Sequence, residues 1–270
     1  MIFRYTLLAT AIIAVAACAT SPKPDATTVV LVHGAFQDAR AWDAVVPLLQ
    51  KRGLRTVAVN LPGRDGDGIA PGTVTLDDYR DTVLEAIDAQ NGPVVLVGHS
   101  FGGITISNVA ETAPEKIRTL VYVAGYLPQA DAEDQSMAKL AETDQWNRFN
   151  KARQNFIVAA DYSSASVLAE DQVMLFCADC DQAAQQSTQR LLQREPLKPA
   201  GTPVRVTAAR YGQVPKVYLH TMRDNAVSYT LQQRMVAATP VTRTLTLDTG
   251  HSPFLEAPEA LADAIAGAAR

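Results

Sequence analysis

The chain has 270 residues, 47% of them apolar, with a net charge of −4 and an isoelectric point near 5.6. That length supports one large domain with a sizeable core. The acidic balance, the lack of a Lys/Arg run and an aromatic content of 6% leave no basic, base-stacking surface, so no nucleic-acid partner is expected.

The first segment reads as an export signal rather than as part of the fold. Arg4 precedes an almost unbroken apolar run from Thr6 to Ala17, and Cys18 and the Pro22-Lys23-Pro24 stretch follow. The run is short for a bilayer span and has the length of a signal-peptide core. Val15-Ala16-Ala17-Cys18 resembles a bacterial lipobox, in which cleavage precedes the cysteine and its thiol is acylated. The expectation is a signal peptide over 1–17, lipidation at Cys18, a tether over 18–26 and a catalytic domain over 27–270. Ala19 is not the aspartate associated with inner-membrane retention, so the expected location is the outer membrane, facing the periplasm. A soluble periplasmic or secreted chain is the alternative.

Beyond the tether, apolar runs alternate with helical patterns. Thr28 to Val32 is a buried strand ending at His33-Gly34. Trp42 to Lys51 reads as a helix closed by Gly53, and Arg55 to Val59 as a second strand. The Pro/Gly/Asp-rich stretch from Leu61 to Gly72 is loop. In the next helix, Leu76 to Gln90, the apolar positions fall three and four apart. Pro93 to Val97 is a third strand, followed by a helix to about Thr112. Thr119 to Val123, Lys216 to His220 and Thr242 to Leu247 complete six strands, and a closing helix begins at Pro258.

Strands without polar alternation, separated by helices, predict an α/β fold with a doubly wound, mostly parallel six-stranded sheet. From about Leu127 to Val214 no core strand is expected. Helical patterns there, including Asp181 to Arg194, read as a helical cap between the fourth and fifth strands. Within it, Cys177 and Cys180 form either a local disulfide or two free thiols; a bridge over so short a loop adds little stability.

Gly98-His99-Ser100-Phe101-Gly102 matches G-x-S-x-G, in which a serine sits on a sharp strand-to-helix turn with its hydroxyl exposed. Here the motif follows a buried strand and opens a helix, the context it requires. A serine hydroxyl needs a base. Of the four histidines, His33, His99 and His220 read as structural. His251 follows the last strand on a loop, and the carboxyl ends of such strands converge on one crevice. Asp224, just past the fifth strand, is the expected partner that orients the imidazole, which gives the chain order Ser, Asp, His. Asp248 is the rival, but it lies only three residues from His251 at a strand end. Two N–H groups are needed to hold a developing oxyanion. Phe101 supplies one, and the His33-Gly34-Ala35-Phe36 turn the other, with Ala35 first choice and Phe36 the reserve.

The chain resembles the α/β-hydrolase superfamily over its whole length after the tether. Val30-Leu31-Val32-His33-Gly34-Ala35-Phe36, Trp42, Val46-Pro47-Leu48-Leu49, Val97 to Gly103 and Gly250-His251 are similar to the branch holding plant methyl esterases, hydroxynitrile lyases and bacterial hydrolases. The resemblance implies the cap, a core without an N-terminal hairpin, no cofactor or metal, and Ala35 with Phe101 as oxyanion donors. Lyases of that branch carry a threonine after the turn histidine and a lysine after the catalytic histidine; Gly34 and Ser252 stand there in this chain, which disfavours cyanohydrin chemistry. Ser100 excludes the aspartate nucleophile of dehalogenases. The expected activity is hydrolysis of a small ester through an acyl-enzyme. A receptor-like protein with little turnover is the alternative from another class. Trp146, Phe149, Phe156, Tyr162 and Phe176 mark the cap as aromatic, mostly as packing, with room for an apolar acyl or alcohol group. Oligomeric state is not legible.

Overall fold

The computed structural model describes residues 26–142, 144 and 155–270. The expected signal segment 1–17, Cys18, most of the tether, Trp146 and Phe149 lie outside them. In chain order the strands are β1 (Thr28–Val32), β2 (Arg55–Val59), β3 (Val94–His99), β4 (Ile117–Val123), β5 (Phe156–Val158), β6 (Ser164–Val167), β7 (Glu195–Pro196), β8 (Lys216–Thr221) and β9 (Arg243–Leu247). Six of them form one parallel sheet in the order β2-β1-β3-β4-β8-β9.

Each central strand is buried on both faces, which is why its sequence shows no polar alternation. Successive side chains point to opposite faces. Val30, Val32, Leu96, Leu120, Tyr122 and Tyr218 enter one apolar cluster, with Tyr79 and Ile104 from the helices Leu76–Asp88 and Gly102–Thr112. Val29, Leu31, Val95, Val97, Val121 and Leu219 enter a second, with Trp42, Leu49, Phe254 and Ile265. The edge strands β2 and β9 are partly exposed and carry the polar residues Arg55, Thr56, Arg243, Thr244 and Thr246, and β4 is exposed only near its start, at Arg118 and Thr119.

The helix expected over Trp42 to Lys51 is two pieces, a 3-10 turn at Ala39–Trp42 and an α-helix at Val46–Lys51. Pro47 explains the break: it lacks an N–H and fits only in a first turn, so the α-helix starts just before it. The helix Leu76–Asp88 begins with a reciprocal cap, in which Thr75 Oγ1 accepts the Asp78 N–H at 3.1 Å and Asp78 Oδ2 accepts the Thr75 N–H at 2.8 Å.

Between β4 and β8 the chain forms the expected helices, at Met137–Glu142, Ala169–Phe176, Gln182–Leu191 and Leu197–Gly201. It also forms a small antiparallel sheet, β5-β6-β7, that the sequence reading did not anticipate. Strands of three, four and two residues are too short to show a period. Cys177 and Cys180 are joined by a disulfide. Among the described residues no helix is long and apolar enough to cross a membrane.

The sheet order determines where a site can form. From β1 the chain moves outward to β2, then returns to β3 on the other side of β1. The carboxyl ends of β1 and β3 therefore open a crevice at the point where winding reverses. The turn His33 to Phe36 leaves one of them, and Ser100 leaves the other.

Candidate active site

Ser100 follows β3 with φ of +50°, a left-handed conformation that costs a non-glycine residue energy. Its neighbours hold that turn closed: the Ser100 N–H donates to the Val123 carbonyl at 3.1 Å, and the Ser100 carbonyl accepts the N–H groups of Gly103 and Tyr126 at 3.0 Å. The glycines are required sterically. A Cβ on Gly98 would lie 2.6 Å from the Gly102 oxygen, and one on Gly102 would lie 2.7 Å from the His33 oxygen. A Cβ on Gly103 would run into the Tyr126 backbone, so this position too admits only glycine. Gly34 faces the elbow from the β1 side, where a Cβ would lie 2.8 Å from Ser100 Cβ and from His99 Nδ1.

His251 and Asp224 are buried and joined by a 2.8 Å hydrogen bond from Nδ1 to Oδ2. Asp224 is held on both oxygens. Oδ1 accepts the N–H groups of Ala226 and Val227 at 2.8 Å, and Oδ2 also accepts Thr221 Oγ1 at 2.7 Å. Gln232, fully buried, accepts the Thr221 N–H at 3.0 Å and donates to the Thr221 carbonyl at 3.1 Å, fixing the strand end that carries the acid. Asp248 is in a different place. Its side chain is 77% exposed and pairs with Arg223 at 3.0 Å. Arg223 also pairs with Asp179 of the cap at 2.8 Å and with Glu256. Glu256 in turn accepts the Gly250 N–H at 2.7 Å and steadies the loop before His251.

The other three histidines, expected to be structural, are buried away from the cavity wall. His33 Nε2 accepts the Leu61 N–H at 3.1 Å, and burial, aided by the Arg64 charge, pushes its pKa down to about 3. His99 is fully buried, and burial followed by the neighbouring His251 holds it well below the ordinary histidine range. His220 is lowered by burial at the end of β8.

Ser100, Ala35 and His251 line one cavity of about 530 Å³. Its other walls are almost wholly apolar: Phe36, Tyr126, Met137, Ala141, Phe156 and Leu175 among them, with Phe176 against the His251 ring at 5.7 Å and Glu142 the one charged residue on the described wall. Of the aromatics expected to mark the cap, Phe156 and Phe176 reach this cavity, while Tyr162 is exposed. A second hollow, of about 580 Å³ beside Asp131, Glu133 and Asp134, includes none of these site residues. Phe101 is buried at the start of the helix after Ser100, its ring against Tyr79. Among the described residues neither the Phe101 nor the Ala35 N–H has a hydrogen-bond partner. The Phe36 N–H is taken: it donates to Glu195 Oε2 at 2.8 Å.

Sequence reasoning missed that carboxylate. Glu195 and Arg64 form a buried ion pair at 2.6 Å, 131 residues apart, with Tyr79 between them. Removing one partner of such a pair strands a buried charge, at about 3–5 kcal/mol. Pairing at that separation leaves no local pattern to read. Gln232 escaped notice for a similar reason, since nothing around it in the sequence marks it as part of a site.

The parallel sheet, the strained serine turn and the His–Asp pair at the strand ends describe a hydrolase of the α/β class. The sequence profile of the alpha/beta hydrolase family matches residues 29–264, and the chain belongs to that family. It is similar to the pyrethroid hydrolase of Sphingobium wenxiniae, 29% identical over 250 residues that cover 89% of this chain and 86% of that protein. It is 26% identical to methylesterase 2 of Arabidopsis thaliana over 247 residues, covering 87% of this chain and 92% of the relative. Among solved structures, a pyrethroid hydrolase from Sphingobium faniae superimposes with a TM-score of 0.80 at 27% identity, over 90% of this chain and 97% of that one. These relatives are named as a pyrethroid hydrolase and a methylesterase, and this chain shares their alpha/beta hydrolase fold.

Proposed function

We propose that the protein is a serine carboxylesterase for uncharged, apolar esters, with Ser100 as nucleophile, His251 as general base and Asp224 as the group that orients it. In this mechanism Ser100 Oγ attacks the ester carbonyl while His251 Nε2 takes its proton. The carbonyl oxygen becomes an oxyanion held by the N–H groups of Ala35 and Phe101. Collapse breaks the bond to the alcohol oxygen, which leaves with the proton from His251. Water, deprotonated by the same imidazole, then hydrolyses the acyl-Ser100 ester. The observation that carries the reading is the 2.8 Å His251–Asp224 bond beside a cavity that also exposes the strained Ser100.

The substrate class follows from the wall chemistry. A mostly apolar cavity of about 530 Å³, with no cation on its described walls, suits bulky neutral acyl and alcohol groups and disfavours anionic esters. Similarity to proteins named pyrethroid hydrolase agrees with such a substrate. The decisive experiment is active-site titration with a fluorophosphonate, followed by p-nitrophenyl butyrate hydrolysis. Ser100 is expected to be labelled stoichiometrically, and Ser100→Ala to lose about 10⁴-fold or more in kcat. Full activity in a folded Ser100→Ala protein rejects the mechanism. A burst without turnover supports the receptor-like alternative.

The reading extends to location: an exported chain anchored through acylated Cys18. What supports it is the sequence of the first segment, with its charge, short apolar run and small residues before the cysteine.

A further inference from the structure

Phe36, in the turn after β1, is held to the cap through both of its backbone polar groups. Its N–H donates to Glu195 Oε2 at 2.8 Å, and its carbonyl accepts the Gln193 N–H at 2.8 Å. Both partners belong to the cap, Gln193 just before β7 and Glu195 at its first position. Phe36 has φ of +61°, a conformation that phenylalanine does not hold without external constraint. Its ring stacks on Phe156 of the cap at 5.6 Å.

Glu195 is itself rigidly placed. It is 1% exposed, and its Oε2 pairs with Arg64 Nη1 at 2.6 Å. Oε1 accepts the Tyr79 hydroxyl at 3.1 Å, and Arg64 Nη2 donates to the same hydroxyl oxygen at 3.1 Å. Burial and the adjacent Glu195 carboxylate push the Tyr79 phenol well above its usual range, so it remains a donor. One carboxylate thus ties together the β1 turn, the loop after β2, the helix Leu76–Asp88 and the cap. A buried ion pair is a poor device for stability alone, because apolar residues of the same volume fill such a space at lower cost.

We propose that Glu195 is a positioning residue for catalysis: by holding the Phe36 N–H it fixes the Ala35–Phe36 peptide and, through the Ala35 backbone angles, the preceding peptide whose Ala35 N–H faces the oxyanion, and because it sits in the cap it makes that geometry depend on the cap being seated. This rests on the esterase reading above. Glu195 does not line the cavity that Ser100 faces. It acts through the turn, so its loss weakens binding of the oxyanion and spares binding of the neutral ester.

The test compares Glu195→Gln and Glu195→Ala with the parent enzyme. Three quantities are measured: kcat and KM on p-nitrophenyl butyrate, inhibition by an alkyl aryl trifluoromethyl ketone, which adds serine to form an oxyanion, and inhibition by the matching methyl ketone, which binds without adding. Glu195→Ala is expected to lose about 100-fold in kcat with KM within about threefold. Its trifluoromethyl ketone affinity falls in parallel, while methyl ketone affinity is unchanged. Glu195→Gln keeps an acceptor for Phe36 and recovers part of the loss. It also decides the matter if the alanine variant does not fold. Unchanged kcat in a folded variant, or equal weakening of both ketones, overturns the proposal. Fluorophosphonate labelling separates the two readings. No labelling of Ser100 in the parent enzyme sinks the esterase mechanism and this inference with it. Labelling of Ser100 combined with either overturning result sinks only the role of Glu195.

Discussion

His99 donates its Nε2–H to the backbone carbonyl of His251 at 2.8 Å, with the two rings 4.6 Å apart. A carbonyl can only accept, so His99 carries its proton on Nε2 and is neutral, in keeping with the fall in its pKa on burial. The residue before the serine therefore fixes the loop that presents the base. Replacing His99 by phenylalanine keeps the ring volume beside Phe254 and leaves the His251 carbonyl without its donor. The expected result is a loss of about 10-fold or more in kcat with little change in KM, read from steady-state kinetics on an activated ester. Wild-type kcat in the variant makes His99 a packing residue only.

Asp224→Asn keeps the shape of the acid but replaces an acceptor by a group that can donate toward His251, which favours the wrong tautomer. A drop in kcat of about 10³–10⁴ is expected, with an unchanged circular dichroism spectrum. Asp248→Asn removes one exposed partner of Arg223, which retains Asp179 and Glu256, so its kcat stays within about twofold of the parent. The reverse order of effects would reassign the acid.

Cyanohydrin cleavage is expected to be absent, and the structure adds a reason beyond the missing threonine and lysine. A side chain at position 34 has no room: its Cβ would lie 2.8 Å from Ser100 Cβ. Gly34→Thr with Ser252→Lys should thus damage esterase turnover without creating a lyase. Cyanide release from mandelonitrile above the uncatalysed rate, in the parent or the double variant, contradicts this.

The elements that could be read in advance share one property, a local cause. The central strands are buried on both faces, so Val29 to Val32 and Val94 to Val97 stand out as apolar runs. Gly98, Ser100 and Gly102 are adjacent because the elbow is a local steric problem. His251 and Asp224 could be placed because parallel strands deliver their loops to one end. Long-range devices left no such trace: Glu195 meets Arg64 only in three dimensions, and Gln232 acts on Asp224 through the end of β8. The small cap sheet was hidden by the brevity of its strands.

Stability is expected to fall as pH drops below the ordinary histidine pKa. An unfolded histidine titrates near 6.5, whereas folded His33 does so at about 3, so between these values the unfolded chain holds a proton that the folded one lacks. Stability therefore falls with decreasing pH across that window, by up to about 1.4 kcal/mol per pH unit for each such histidine. His99 contributes in the same direction. Urea unfolding of His33→Asn between pH 6.5 and 5, above most carboxylate titration, should show a slope smaller by close to one proton. An identical slope in parent and variant refutes the linkage.

The anchor proposed at Cys18 can be tested apart from the chemistry because the first described strand starts at the end of the sheet away from Ser100 and His251. β1 begins at Thr28, so the chain enters the domain at the amino ends of the parallel strands, while Ser100 and His251 follow the carboxyl ends of β3 and β9. Each buried methylene contributes about 0.8 kcal/mol, so a multiply acylated cysteine keeps the protein in the membrane fraction. Cys18→Ser is expected to release the chain from that fraction or to leave it unprocessed, and released protein should hydrolyse a soluble ester with unchanged kcat. Mass spectrometry of the native amino terminus is the direct measurement: an acylated cysteine at the first position supports the anchor. An unmodified terminus at another residue rejects it and leaves the esterase mechanism as it stands.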